Sequence, residues 1–465
     1  MSDDRRETQK NDNTTDTSTD DSTTDTPTDD SASEETESAN SSRFDRFETW
    51  VTANDLRLVV VLSAAVYALF VVLALAAGFR GDGFVSRLQT VTFFATIFAM
   101  LALALNLQWG YAGLANLGIA GFMAVGVYTM ALLSMPSDAS VPGLGLPLPI
   151  GMLGGFLMAT AIGALAALPA LRLRADYLAI VTLAFGEIIR RIARSRQFET
   201  FDVGGTTLGF GGINGLRLPR NPVERVLYDD TGTPTSVGEL VLDVGESLGI
   251  RQTVVESILY VILLVIVTVL LYLLLVRVVN SPFGRVLKAI REDELAASSL
   301  GKDTRKFKVK AFALGCGLMG LVAMLWFMQR GSVSPDTLEP ELTFFIFVAL
   351  ILGGSGSNTG AVVGGIVFAA LLWEGPGYIQ RIVDANFDRP SQPDTIFDGF
   401  RSFEQFIGYF FSDVNITAFQ FVVLGVILIY LMQQRPDGLL GHRVEIASNI
   451  DLSKRSADSE TKEGE

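Results

Sequence analysis

Long uninterrupted apolar runs alternate with stretches rich in charge, Gly and Pro. The runs fall at 58–77, 88–107, 111–133, 148–168, 177–193, 254–276, 311–328, 342–352, 360–373 and 417–433. A helix needs about twenty apolar residues in a row to cross a bilayer, whereas a soluble core does not. The pattern predicts an all-α polytopic membrane protein with about ten membrane segments. Several runs are too short to cross untilted. The pieces 342–352 and 360–373 flank a Gly/Ser break and read as short, broken or re-entrant segments.

The polar stretches set the organisation. Residues 1–42 are mostly Ser, Thr, Asp and Glu, without an aromatic residue. They bury too little apolar surface to offset ordering entropy, so a disordered acidic tail is expected. The basic start and short apolar core of a signal peptide are missing, which makes the first apolar run an uncleaved anchor. Arg43, Phe44, Arg46, Phe47, Trp50 and Arg57 suit a short amphipathic helix at the membrane surface or a plain interfacial flank. A transmembrane domain then covers 43–441, followed by a tail at 442–465.

Segment 277–310 carries nine Lys or Arg against four acids and is expected in the cytoplasm by the positive-inside rule. Stretches 197–252, with eight acids and four bases, and 374–416, with seven and three, are expected outside. Ten segments return both termini to the cytoplasm, with Arg172, Arg174, Arg435 and Arg443 inside. Arg190, Arg191, Arg194 and Arg196 then fall at the outer end of their span, against the rule. A shorter 177–189 segment that does not fully cross would remove that conflict and upset the parity elsewhere. The expected location is the plasma membrane, multi-pass.

Composition narrows the chemistry. The 465 residues are 49% hydrophobic, with one Cys (Cys316) and one His (His442). Neither a disulfide framework nor a Cys/His metal cluster is possible. His442 lies in the C-terminal tail, so Ser-His-Asp and Cys-His mechanisms are set aside. No catalytic residue, metal site or nucleic-acid partner is expected. The net charge of −14 comes largely from the tail, where thirteen acids face three bases. Lysines number eight among the 36 basic residues. Such an acidic, Lys-poor exterior suits an organism living in high salt, where screening tames self-repulsion.

Two glycine-rich stretches stand out, WGYAGLANLGIAGFMAVG at 109–126 and LGGSGSNTGAVVGG at 352–365. Small residues let helices approach closely in lipid, and glycines beside polar groups permit broken helices along a pathway. Candidates there are Asn106, Asn116, Gly118, Gly121, Gly353, Gly354, Ser355, Gly356 and Asn358, with tight packing as the plainer reading. Glu187 sits in an apolar run, where an ionisable group is paired or functional. Arg190 and Arg191 follow at three and four positions, so a local ion pair competes with a pathway role. In 277–310, Ala289 to Leu300 is expected to form one short helix that Gly301 ends. That helix would expose Glu292, Asp293 and Glu294, as a docking element or a solvated loop. Gly301-Lys302 is followed by Asp303 without the glycine spacing of a phosphate loop, so no ATP site is expected in this chain.

LRLRADYLAIVTLAFGEIIR at 171–190, FGRVLKAIREDELAASSLG at 283–301, LGGSGSNTGAVVGG at 352–365 and RPDGLLG at 435–441 together resemble the LivM-type permease subunit of branched-chain amino-acid ABC transporters. Glu294, Ala296, Ala297 and Gly301 fit the E-x-A-A-x-x-x-G form of the family's coupling loop, and Ala175 stands where a glycine is common. The likeness spans about 88–441, with the tail and the 374–416 stretch as departures. It implies an importer with a second permease subunit, two ATPase subunits that hold ATP and Mg, and an external substrate receptor. Arg285, Arg291, Glu292, Asp293, Glu294, Ala296, Ala297 and Gly301 would form the ATPase-coupling surface. Urea and short-amide permeases resemble the same pattern. A secondary transporter or channel acting alone, motivated by the glycine breaks and Glu187, and a structural subunit of a membrane enzyme are the competing readings. The sequons at Asn13, Asn40 and Asn415 complete the motifs.

Overall fold

The computed structural model describes residues 55–170, 175–229 and 231–386, together with 400, 402, 421–422, 425–430, 433–434 and 438–440. The expected tails 1–42 and 442–465, the flank up to 54, most of the 387–420 stretch, much of the last apolar run and all three sequons lie outside the described residues.

The described residues form fourteen α-helices. The first five are α1 Asp55–Ala76, α2 Asp82–Leu105, α3 Ile119–Ser134, α4 Leu148–Ala170 and α5 Ala175–Arg194. Two short helices follow, α6 Pro222–Leu227 and α7 Ser236–Ser247, then the long α8 Gln252–Asn280. The basic segment forms α9 Pro282–Glu292 and α10 Glu294–Ser299. The last four are α11 Thr304–Arg330, α12 Pro340–Gly353, α13 Asn358–Val367 and α14 Gly375–Asn386. Two-stranded antiparallel pairs, Phe201–Val203 with Thr206–Leu208 and Leu216–Arg217 with Ser332–Val333, tie the 196–217 loop down at one end of the bundle.

The chain is an all-α polytopic membrane protein. Among the described residues, six helical stretches are long and apolar enough to cross a membrane: Val59–Ala76, Asp82–Gly110, Leu148–Pro169, Gln252–Asn280, Thr304–Arg330 and Asn358–Ile382. The expected count of ten is not reached on this measure. Three other expected runs form shorter or more polar helices, α3, α5 and α12. The 360–373 run is not a short piece. A π-helical turn at Phe368–Glu374 joins α13 to α14, so the helical path continues through Asn386 into the stretch expected to be polar and external. The 111–133 run is shorter than expected, because its first residues are unwound and α3 begins only at Ile119.

Apolar pattern alone does not decide which helices are central, because lipid covers an apolar face as readily as protein does. In α2, Ile97 to Leu105 are buried without a gap, and in α11 burial runs almost unbroken from Ala311 to Met328. α1, α4 and α8 turn residues such as Val72, Leu153, Leu165, Ile266 and Leu270 outward, the surface lipid would cover.

Close approach replaces apolar attraction as the packing device, since lipid is as apolar as the side chains. α3, α4 and α11 meet at small residues. A Cβ on Gly126 would lie 2.5 Å from the Gly320 Cα, and one on Gly155 would lie 2.5 Å from the Gly126 carbonyl oxygen. On this geometry Gly126→Val forces the helices apart. The expected loss is about 1–3 kcal/mol, the usual penalty for overpacking. Gly377→Ala is the contrasting change, because its Cβ would meet nothing within 4 Å and the helix gains propensity. Thermal unfolding in detergent is expected to show a clear drop for Gly126→Val and none for Gly377→Ala.

Candidate functional site

Helix α9 starts as its sequence dictates. Ser281 is the N-cap and Pro282 occupies the first turn, where its missing N–H does no harm. Gly284, Leu287 and Ile290 form the buried face, and Phe283 stacks on Phe307 of α11 with ring centres 5.5 Å apart. The expected single helix over 289–300 is in fact two. The backbone turns extended at Asp293, whose carboxylate accepts a hydrogen bond from the Ala296 N–H at 3.0 Å and so caps α10. Asp is among the strongest N-caps, and here capping wins over continuation of the helix. Gly301 ends α10 at φ +75°, a conformation that penalises a Cβ.

Polar contacts add to this apolar packing. Glu294 pairs with Lys308 of α11 at 2.5 Å, and Ala297 is buried. Arg291 is the second contact. Its guanidinium donates to the Gly110 carbonyl oxygen. The same side chain lies against Gly113 and Gly356, where a Cβ would come within 3.5 Å and 2.9 Å of it. Arg285, Glu292, Asp293 and Glu294 are exposed, and Leu295 and Leu300 are each 79% exposed. Next along the chain, Asp303 caps α11, and its hydrogen bond from Lys306 holds its carboxyl below the ordinary range.

The two glycine-rich stretches meet beneath Arg291. The end of α2 widens into a π-helical turn at Asn106–Gly110, and the chain stays unwound from Gly113 to Gly118. Asn106 is fully buried; its side-chain oxygen accepts from the Gly356 N–H at 2.8 Å and its amide donates to Asn358 at 3.1 Å. Gly353 and Gly354 close α12, Ser355 and Gly356 form the turn, and Asn358 opens α13. Leu439 and Leu440 donate backbone hydrogen bonds of 3.0 Å to the Leu352 and Gly353 carbonyls, which is the place of the described part of the RPDGLLG motif.

Asn116 is also fully buried. Its amide donates to Gln108 at 3.0 Å, and its oxygen accepts from the Gly118 N–H at 2.9 Å. Gln108 in turn donates to the Phe312 carbonyl of α11 at 2.7 Å. Thr182 of α5 accepts from the Leu117 N–H at 3.0 Å, and Thr343 of α12 accepts from the Ala120 N–H at 3.3 Å. Gln108, Thr182 and Thr343 are partners that sequence reasoning missed. Only the short spacing of Gln108 from Asn106 offered a signal. Gly118 and Gly121 pack on α5, where a Cβ on Gly121 would lie 2.4 Å from the Gly186 Cα.

A narrow cleft opens beside the unwound segment, lined in part by Leu117, Gly118, Gly121, Glu187, Leu338 and Thr343. Of the ten expected pathway residues it gathers Gly118, Gly121 and Glu187, while the other buried polar groups brace the breaks. Glu187 accepts from Arg190 at 2.8 Å and from Arg191 at 2.9 Å, the local ion pair expected from spacing. Arg190 and Arg194 also face Asp336, and Arg190 faces Glu339.

A family model described as the permease component of the branched-chain amino acid transport system matches residues 87–380. The chain belongs to that permease family. It is 32% identical over 273 residues to the high-affinity branched-chain amino acid transport system permease protein LivM of Escherichia coli K12, covering 58% of this chain and 59% of that protein. The probable branched-chain amino acid transport permease protein LivM of Methanocaldococcus jannaschii is 26% identical over 296 residues, 58% of this chain and 75% of that one. The permease protein BraD of Pseudomonas aeruginosa is 25% identical over 281 residues, 58% and 79%. The chain thus matches about three fifths of the length of the Escherichia coli relative. No solved structure matches. The family's shared region contains both glycine stretches and the α9–α10 unit.

Arg291 makes the link between these parts testable. Arg291→Ala is expected to speed amide hydrogen exchange about tenfold at both 110–118 and 353–357, the effect of losing a charge-assisted hydrogen bond of roughly 1.5 kcal/mol. Arg285→Ala, whose guanidinium reaches the Asn280 carbonyl at 3.4 Å, is expected to leave both stretches unchanged.

Proposed function

We propose that this chain is one permease subunit of an ABC importer for branched-chain amino acids. A second permease subunit completes the pore, two ATPase subunits supply ATP hydrolysis with Mg, and an external receptor delivers the substrate. The chain itself is not an enzyme. The basic segment faces the cytoplasm, which places both termini inside and the 196–251 loop outside. The observation that carries the reading is Arg291, which joins an exposed two-helix unit to the place where both backbone breaks meet.

On this reading α9 and α10 sit in a groove on an ATPase. Leu295 and Leu300 supply the apolar contact, and Glu292, Asp293 and Glu294 supply the charge. A push on this unit reaches Gly110, Gly113 and Gly356 through one guanidinium. The breaks then shift as a rigid group, and the pore alternates between outward and inward access. The cleft beside Gly118, Gly121 and Glu187 forms part of the pathway wall. Unwound backbone at membrane depth has to be buried in protein or line an aqueous cavity, which supports placing the pathway on this face. Leucine-like cargo is favoured over urea by the branched-chain amino acid transport named for the relatives.

The test is ATP-dependent uptake of labelled leucine and of labelled urea by cells with and without this chain. Loss of leucine uptake on deletion is the expected result, and loss of urea uptake alone would replace the cargo. Leu295→Asp and Glu294→Lys are expected to insert normally, lose ATPase co-purification and abolish uptake. Full leucine uptake by both variants would refute the coupling role. Substrate flux through the purified chain alone, without ATP, would favour a secondary transporter.

A further inference from the structure

The geometry points to α7 as an interfacial helix that lies on the lipid headgroup layer and holds the 196–251 loop against the membrane. The observation is an apolar stripe that, among the described residues, no protein covers. Val237, Leu240, Val244 and Leu248 recur at helical spacing and are each 54% to 68% exposed. Glu239, Asp243 and Glu246 lie on the far side of the same helix, at 100° per residue. A third face, formed by Gly238, Leu242 and Gly245, is buried against the protein. A solvated loop helix has no use for two apolar faces. One face packs on the protein, and the other needs an apolar occupant.

Depth selects that occupant. α8 has 29 residues, so at 1.5 Å per residue it is longer than the hydrocarbon layer of about 30 Å, and its polar ends, Arg251–Gln252 and Arg277–Asn280, fall at the two boundaries. α7 is docked on the first turn of α8, where a Cβ on Gly245 would lie 2.4 Å from Val255. Tyr228, between α6 and α7, donates to Glu256 of α8 at 2.5 Å. Burial, with Glu256 beside it, pushes the Tyr228 hydroxyl up to about 12, so this bond persists across the physiological range. The Arg251–Asp82 pair ties the start of α8 to α2 at the same level. Only Leu248 to Arg251 separate α7 from the span, so the helix has no slack to leave the boundary. With its stripe toward acyl chains and its acids toward water, α7 has the polarity of a helix lying in the interface.

Cys316 is fully buried, so single cysteines introduced on α7 become selective labelling sites in the otherwise unaltered full chain. The purified protein carrying Leu240→Cys, Val244→Cys, Asp243→Cys or Glu246→Cys is labelled with an environment-sensitive fluorophore. It is then reconstituted into phosphatidylcholine–phosphatidylglycerol vesicles that contain lipids spin-labelled near the headgroup. The expected result is several-fold stronger lipid quenching and a blue-shifted emission at 240 and 244, with aqueous iodide reaching 243 and 246 instead. Equal iodide access at all four positions would overturn the proposal. So would protection at 240 and 244 without lipid quenching, which would mark a protein–protein surface. Unlabelled-site background is set by the parent chain, and the outcome is independent of cargo or ATPase coupling.

Discussion

A peptide group that leaves a helix inside a membrane has no water to bond, and each one left unpaired is costly by several kcal/mol. The unwound Gly113–Gly118 segment and the Gly354–Ser357 turn are two such departures, and much of the interior serves to satisfy them. Asn106 reaches the Gly356 N–H, Asn116 the Gly118 N–H, Thr182 the Leu117 N–H and Thr343 the Ala120 N–H. Arg291 covers the Gly110 carbonyl. The buried polar residues of α2 and of the unwound segment are thus the partners that allow a broken backbone to exist at depth.

This constraint also explains the glycines. Side chains such as Thr182 and Thr343 bond a backbone segment only if that segment lies against their own helices. Gly118 and Gly121 let the start of α3 touch α5 at Thr182 and Gly186, and Gly365 lets α13 touch α2 at Ala99. Close approach and polar bracing are therefore one design. Removing a brace leaves an orphaned donor, and adding a methyl pulls the donor away from its partner.

The long spans were legible in the sequence because twenty apolar residues have few other uses. The Glu187–Arg190–Arg191 cluster was legible because spacings of three and four share a helix face. The partnership of Gln108 with Phe312, or of Asn106 with Asn358, was not, since such pairs are about 200 or more residues apart and fixed only by tertiary packing. The break at Asp293 is intermediate. Its capping chemistry was visible, but within Glu292-Asp293-Glu294 an acid reads equally well as an exposed helical position. The end of α13–α14 was misjudged for another reason: Gly375, Pro376 and Gly377 look like a stop, yet a π-helical turn carries the chain past them.

The arginines that offended the charge rule find local compensation. Arg190 and Arg194 stand at the end of the bundle opposite α9, facing Asp336 and Glu339 on the connection between α11 and α12. Arg190 thus links Glu187 of the cleft to Asp336 and Glu339, while Arg291 braces the backbone breaks at Gly110 and Gly356. The two holds differ in kind. Asp336 and Glu339 are about half exposed; Arg194 reaches Asp336 at 3.0 Å, and Arg190 approaches Asp336 and Glu339 to 3.6 and 3.7 Å. Ion pairs of that sort contribute about 0–1 kcal/mol each. Arg291, itself exposed, instead bonds the Gly110 backbone carbonyl and lies against Gly113 and Gly356. On the importer reading, substrate arriving from outside would meet exposed ion pairs at this rim, while the opposite end would be moved through α9 and α10.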